Sequence, residues 1–136
     1  MKRYFDTLPD LSKKRQKPKQ NEDALQKSVM AYIRTCYPYV LAIHPANERK
    51  CSPQAGARLK AKGVLAGTPD ILLWWKLHDG MQAGAIELKV GKNQLSDAQI
   101  AWRDKFEACG GKWALCRSID DVRDWLNQWG VIPSGR

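Results

Sequence analysis

The chain has 136 residues, of which 43% are hydrophobic, and 23 basic and 14 acidic residues give it a formal net charge of +9. This length is typical of one domain, and the hydrophobic fraction excludes a wholly disordered basic tail. The longest apolar run has five residues, at 71–75, whereas a membrane-spanning helix needs about 20. The charged start of the sequence does not resemble a secretory signal, so we expect a cytoplasmic protein with no membrane partner.

The positive charge is concentrated in two segments. Residues 1–20 contain seven basic and two acidic residues, net +5, and residues 48–62 contain five basic residues and one acidic residue, net +4. The first segment lacks apolar periodicity and predicts a flexible basic arm. The second contains Ser52, Pro53 and Gly56 and predicts a long loop. Such segments indicate a polyanionic partner such as nucleic acid, with a purely solubilising role as the alternative.

An amphipathic helix is predicted over residues 21–36, with Asn21 as its N-cap. The apolar residues of this segment recur at the helical spacings of four, three and four, at Leu25, Val29, Tyr32 and Cys36. A short apolar run over residues 40–44 then predicts a strand, which the basic loop follows.

Two further strands are predicted over residues 70–76 and 85–90. The first is apolar on both faces, as in a sheet that helices cover on both sides. In the second, side chains alternate, so Glu87 and Lys89 share one face and the apolar residues share the other.

The last elements are a helix over residues 96–109, a strand over residues 113–117 and a helix that begins at a capping-box-like sequence after Ser118. The order helix, three strands, helix, strand, helix predicts an α/β domain with a mixed sheet and flanking helices. We place this domain at residues 21–130 and a short tail at residues 131–136.

We expect the cysteines, histidines and C-terminal tryptophans to have structural roles and not to form a metal or catalytic site. The four cysteines have no CxxC spacing and neither histidine lies in a ligand pattern, so no zinc site is predicted. Cys36 and Cys109 are expected on the core faces of their helices, and both histidines are expected to be structural or surface residues. Trp125 and Trp129 are expected in the core, with a protein-interaction surface as the alternative.

Three acidic residues interrupt these patterns at positions where an unpaired charge would be costly to bury. The apolar stripe of the first helix extends back to Glu22, Asp70 opens a strand directly after Gly-Thr-Pro, and Glu87 lies within the next strand. Carboxylates brought together from two strands and a helix repel one another unless a cation neutralises them, and Mg²⁺ favours such oxygen ligands. Each acid alone has a structural alternative: a first-turn helix residue, a turn cap or a surface ion pair.

A lysine on the same strand face as Glu87 completes the pattern. A bound divalent cation polarises a phosphoryl oxygen and lowers the pKa of water, and Lys89 is placed to orient that water and stabilise developing negative charge. The set therefore predicts metal-dependent phosphodiester hydrolysis.

These residues carry a resemblance to a known family. Pro69-Asp70 followed by Glu87-Leu88-Lys89 resembles the PD-(D/E)xK nuclease signature. More narrowly, residues 21–127 resemble the viral replication and repair nuclease (VRR-NUC) domain in its standalone phage or mobile-element form. The other matching segments are Glu22 with Gln26, residues 45–48, 63–70 and 95–99, and Gly110-Gly111. The resemblance implies that the domain has a restriction-endonuclease-like αβββαβ core plus a C-terminal helix.

The resemblance also implies roles for individual residues. The ligands of Mg²⁺ or Mn²⁺ would be Glu22, Asp70, Glu87 and the backbone carbonyl of Leu88. Lys89 would be the catalytic lysine, and Gln99 would join it and the acids in the catalytic set. Gln99 is equally explained by a capping box with Ser96. Gln26 and Asn47 would support the site, with a solvated helix position as the alternative for Gln26.

The resulting prediction is a divalent-metal-dependent DNA endonuclease, with RNA left open as a substrate. The resemblance implies a homodimer that selects branched or four-way junction DNA, because two active sites related by a twofold axis could cut two strands. The alternative is a non-catalytic DNA-binding module that uses the same basic segments. The residues expected to contact DNA phosphates are Lys13, Lys14, Arg15, Arg49, Lys50, Arg58, Lys60 and Lys62.

Overall fold

The computed structural model describes residues 21–45 and 52–134. Within these residues the elements are α1 (Glu22–Cys36), β1 (Leu41–Ile43), α2 (Pro53–Ala61), β2 (Ile71–Leu77), β3 (Gly80–Leu88), α3 (Asp97–Ala108), β4 (Lys112–Cys116) and α4 (Ile119–Gln128). Some predictions lie outside the described residues, namely the arm at 1–20 with Lys13, Lys14 and Arg15, and also Asn47, Arg49 and Lys50. The domain boundaries stay a prediction.

The four strands form one mixed sheet in the order β1-β2-β3-β4. β1 and β3 both pair antiparallel with β2, and β4 pairs parallel with β3. The predicted α/β fold with helices flanking a mixed sheet is confirmed. Because β2 and β3 are antiparallel, the start of β2 lies beside the end of β3, with Ile71 opposite Ile86.

The hydrophobic core lies between one face of the sheet and helices α1 and α4. It contains the apolar stripe of α1, alternate residues of the strands and the inward residues of α4, including Leu25, Val29, Ile33, Ile71, Leu73, Ile86, Leu88, Val122 and Leu126. α3 contacts β4 and reaches the opposite face of β3, where Glu87 lies. Alternation along β3 therefore separates the packed residues from the acid.

The prediction of a loop is wrong at residues 53–61, because Pro53–Ala61 form the helix α2. Ser52 and Pro53, which favoured a loop, are the N-cap and first residue of this helix, where both residue types are common. Arg58 and Lys60 lie in its last turn and complement the helix dipole, and Lys62 is its C-cap. α2 has no buried residue, so the sequence contains no apolar stripe that would reveal it.

Three smaller features also differ from or refine the predictions. Cys109 is exposed as the C-cap of α3, so its expected core position is wrong. Trp129 is buried and stacks on Trp75 with ring centroids 5.7 Å apart, whereas Trp125 is 36% exposed. The predicted capping box of α4 is half formed, because the Asp121 carboxylate accepts from the backbone N–H of Arg117 rather than from that of the N-cap.

None of the helices in the described ranges has the length and hydropathy needed to span a membrane.

Candidate active site

The antiparallel hairpin of β2 and β3 brings Asp70 and Glu87 together. Asp70 immediately precedes β2, and its Oδ2 accepts a 2.7 Å hydrogen bond from the backbone N–H of Leu88 at the end of β3. The Asp70 side chain is thus held at a backbone group adjacent to Glu87. Two acids 17 positions apart in sequence therefore lie at one edge of the sheet.

The turn before Asp70 packs closely against the start of α3. Gly67 has a φ of +81°, and a Cβ at this position would lie 2.2 Å from the backbone oxygen of Ala98. Only glycine allows this approach without displacing the backbone. The contact brings the first turn of α3, with Gln99, up to the end of the sheet that carries the acids.

Glu87 is the buried charged residue of the described core, with a relative exposure of 4%. Its Oε1 accepts a 2.8 Å hydrogen bond from Gln99 Nε2 and lies 3.8 Å from Lys89 Nζ. The pKa of Glu87 is raised to about 8, first by burial and then by the charge of Asp70, whereas the charge of Lys89 opposes the shift. The negative charges of Asp70 and Glu87 repel each other, so a bound cation would favour the ionised form of both.

Lys89 follows β3 directly and remains fixed to the sheet. Its backbone N–H donates to the carbonyl of Cys116 at the end of β4 at 3.1 Å. Its side chain is 13% exposed and points to the same face as Glu87, as strand alternation predicts. The ammonium group therefore lies beside the acids with little access to bulk water.

Gln99 forms the predicted capping box and also contacts Glu87, because the two sets of contacts use different atoms. Its Oε1 accepts from the backbone N–H of Ser96 at 2.8 Å, and Ser96 Oγ accepts from the N–H of Gln99, which completes the capping box. Its Nε2 donates to Glu87. The cap thus fixes the orientation of the amide whose N–H₂ group holds the buried carboxylate.

Two side chains donate to the backbone carbonyl of Asp70. Gln26 Nε2 from α1 lies 3.3 Å from this oxygen and His44 Nδ1, just after β1, lies 2.6 Å from it. Because a carbonyl only accepts, Nδ1 of His44 must carry the hydrogen. The sequence analysis missed His44, whose place beside Asp70 follows from the antiparallel pairing of β1 with β2.

Glu22 lies at the rim of the site. It is exposed in the first turn of α1, and its charge contributes to raising the pKa of Glu87. A small cleft is lined by Glu22, Asp23, Gln26, His44 and Asp70. Across the described ranges, no three His, Cys, Asp or Glu side chains are arranged as a group that could hold a metal ion. The fold therefore places Asp70 beside Glu87 at one edge of the sheet, and Glu22 lines the adjacent cleft.

The chemistry of these donors nevertheless fits a hard divalent cation. Carboxylate and carbonyl oxygens suit Mg²⁺ and Mn²⁺, and a cation would relieve the repulsion between Asp70 and Glu87. The described basic residues of the second segment, Arg58, Lys60 and Lys62, are exposed on α2 and at its end. They are accessible to a partner and take no part in the acid cluster.

Comparison with known proteins agrees with this fold and residue pattern. The family model of the VRR-NUC domain matches residues 16–120. A solved structure of a "VRR_NUC domain protein" has the same fold, with a TM-score of 0.59 and 24% sequence identity, over 81% of this chain and 88% of that chain. No curated protein matches the sequence. Because the family model covers most of the chain, the protein belongs to the VRR-NUC family of nucleases.

Proposed function

We propose that the protein is a Mg²⁺- or Mn²⁺-dependent endonuclease that hydrolyses phosphodiester bonds in DNA. The observation that carries the proposal is the buried Glu87 carboxylate, which feels the charge of Asp70, accepts a hydrogen bond from Gln99 and is faced by Lys89. A buried acid whose pKa is raised by burial and by a second acid, beside a lysine, is typical of a functional site.

The cation would be held by Asp70, Glu87 and the backbone carbonyl of Leu88, and the family resemblance implies Glu22, at the rim of the site, as a further ligand. When bound, it would polarise a phosphoryl oxygen and lower the pKa of a water molecule. Family membership supports a nuclease, and the oxygen-rich donor set supports a hard cation.

The protein side chains around the acids have distinct tasks in this proposal. Lys89 presents a charged donor that stabilises negative charge on the phosphate and orients the attacking water. Gln99 keeps Glu87 facing the site, and the backbone N–H of Leu88 does the same for Asp70. These groups are on strands or at a capped helix end, so little reorganisation is needed when substrate arrives.

The test is cleavage of supercoiled plasmid, linear duplex and four-way junction DNA with Mg²⁺, Mn²⁺ or EDTA. We expect cutting with either metal and none with EDTA, and loss of at least 10²-fold in rate in Lys89→Ala and Asp70→Ala. Lys76→Ala is the matched control, since Lys76 is exposed at the other end of β2. Cutting that is unchanged in the two site variants would reveal a contaminant or a different site. DNA binding without cutting under any condition would favour the non-catalytic module.

The finer proposal is that the enzyme acts as a homodimer on branched DNA. It follows from the family resemblance and from the need for two sites to cut two strands of a junction symmetrically. Light scattering coupled to size exclusion should give twice the monomer mass, and the junction should be cut faster than duplex of equal length. If the protein is a monomer that cuts duplex and junction at equal rates, the proposal of a dimer acting on branched DNA is wrong, whereas the proposed nuclease activity still stands.

A further inference from the structure

A second surface feature, which we name the α1 groove, runs beside α1. It has a volume of about 440 Å³ and is lined by Gln26, Lys27, Met30, Ala31, Arg34 and His44, with Asp23 at one end. The helical members recur at spacings of three and four and so form one face of α1. None of them was predicted to bind DNA from the sequence.

The α1 groove is continuous with the candidate active site. Asp23, Gln26 and His44 line both the groove and the small cleft that contains Glu22 and Asp70. His44 and Gln26 also donate to the backbone carbonyl of Asp70, so the groove wall is bonded to the element that carries the acid. A polymer whose scissile phosphate lies at the acids would have its adjacent units beside α1.

The charges along the groove favour phosphate away from the acids. Asp23 lies at the active-site end, whereas Lys27 and Arg34 lie farther along α1. Both basic side chains are exposed, and neither forms an ion pair within the part of the chain that the structure describes. Their positive charge is therefore available to an anionic ligand.

The spacing of the two basic residues matches a nucleic-acid backbone. Seven residues of α-helix rise about 10.5 Å, which corresponds to about three phosphates of a B-form strand at about 3.4 Å each along the axis. Between them, Met30 and Ala31 present an apolar floor that suits deoxyribose better than a second row of charges. The two basic residues would face phosphates, and the apolar surface between them would face the intervening sugars.

We propose that the α1 groove binds the sugar-phosphate backbone of the substrate strand on one side of the scissile phosphate, with Lys27 and Arg34 contacting phosphates. This inference rests on the proposed nuclease function and specifies where one part of the substrate lies. Contacts of this kind position the strand and are independent of base sequence.

The first test measures binding rather than cutting. In a Lys89→Ala background with Mg²⁺, the affinity for a fluorescein-labelled duplex and a labelled junction is measured by anisotropy over a range of salt concentrations. Adding Lys27→Ala with Arg34→Ala should weaken binding roughly tenfold at moderate salt and reduce the slope of log K against log salt by about 1.8, since each lost phosphate contact removes about 0.9.

The matched control is Lys76→Ala with Lys112→Ala, which removes the same charge. Lys76 lies near the end of β2 and Lys112 at the start of β4, in each case the end of the strand farther from Asp70 and Glu87. The control should leave the slope close to that of the parent. Equal slopes in the groove double variant, the control and the parent, with all thermal melting temperatures alike, would overturn the proposal.

The second test locates the contact. Single neutral methylphosphonates are placed at successive positions on either side of the cut. Those within about three nucleotides on one side should weaken binding to the parent and cause no further loss in the groove double variant. Losses that stay additive at every position would also overturn it. If the wild-type protein cuts no DNA, the proposed function is wrong. The two outcomes are distinguishable because the salt slopes measure binding and not cleavage.

Discussion

The candidate active site and helix α2 hold their charged side chains in opposite environments, one buried and one exposed to solvent. Glu87 is 4% exposed and accepts a 2.8 Å hydrogen bond from Gln99, whereas α2 has no buried residue and keeps Arg58 and Lys60 in solvent. A catalytic group needs a fixed position, which a strand and a capped helix provide, at a cost in desolvation. A phosphate contact works through charge and tolerates a mobile side chain. Variants in the two regions should therefore fail in different ways.

The largest expected effect on stability comes from the buried acid. The pKa of Glu87 is raised from 4.5 to about 8 by burial and by Asp70, so between these values the folded protein binds more protons than the unfolded chain. In EDTA, the free energy of unfolding should therefore fall as pH rises from about 4.5 to about 8, by up to about 1.4 kcal/mol per pH unit. Thermal melting across this range measures it.

Glu87→Gln provides the control for this pH dependence, because it removes the titrating group and keeps the shape. Its melting temperature should vary less with pH than that of the wild type. Adding Mn²⁺ should stabilise the wild type more at pH 8 than at pH 5, where protons compete for the same oxygens. If the free energy of unfolding of the wild type instead rises with pH over this range, the pKa of Glu87 is not raised in the folded protein.

The next effect separates the two roles of Gln99. Ser96→Ala removes the N-cap and should cost about 1 kcal/mol of stability with little change in cutting rate. Gln99→Glu keeps an oxygen for the N–H of Ser96 but removes the donor to Glu87, so the rate should fall about 10- to 100-fold. Single-turnover cleavage and chemical unfolding of both variants measure the difference. Equal losses of rate in the two variants would mean that Gln99 acts only as a cap.

A smaller effect is expected at His44, which acts through the backbone of Asp70. His44→Ala should lower the cutting rate by about tenfold, the equivalent of one hydrogen bond of about 1.4 kcal/mol. His44→Asn should restore most of it, because the asparagine amide places an N–H near the position of Nδ1. His44→Gln places its amide near Nε2 instead and should not. Rescue by glutamine alone would assign the function to Nε2.

The smallest effect is expected on α2. Arg58→Ala with Lys60→Ala should raise the Kd for DNA a few-fold at low salt, with the difference fading as salt increases, and leave the rate at saturating DNA unchanged. Anisotropy and cleavage at high DNA concentration measure these two quantities. A fall in the saturated rate would mean that α2 takes part in catalysis, and the contrast with the buried acids would be lost.

Much of the fold was predictable because its signals are local. The four- and three-residue spacings of α1 and the apolar run of β2 follow directly from helix and strand periods. The caps at Asn21 and Ser96 form as predicted. α2 was missed because a helix with no buried residue has no clear apolar stripe, and its N-cap and proline also occur in loops. Cys109 was misplaced because it is the C-cap of α3, where the helix periodicity no longer determines burial.

The sequence by itself determined which residue types the site contains and which element carries each, since the Pro-Asp and Glu-x-Lys patterns and the apolar periods are properties of short segments. Only the tertiary structure decided that Asp70 meets Glu87, that Gln99 serves both a cap and a carboxylate, and that His44 and the α1 groove belong to the same region. The physical reason is strand pairing. The antiparallel register of β1, β2 and β3 brings together groups that no local spacing connects.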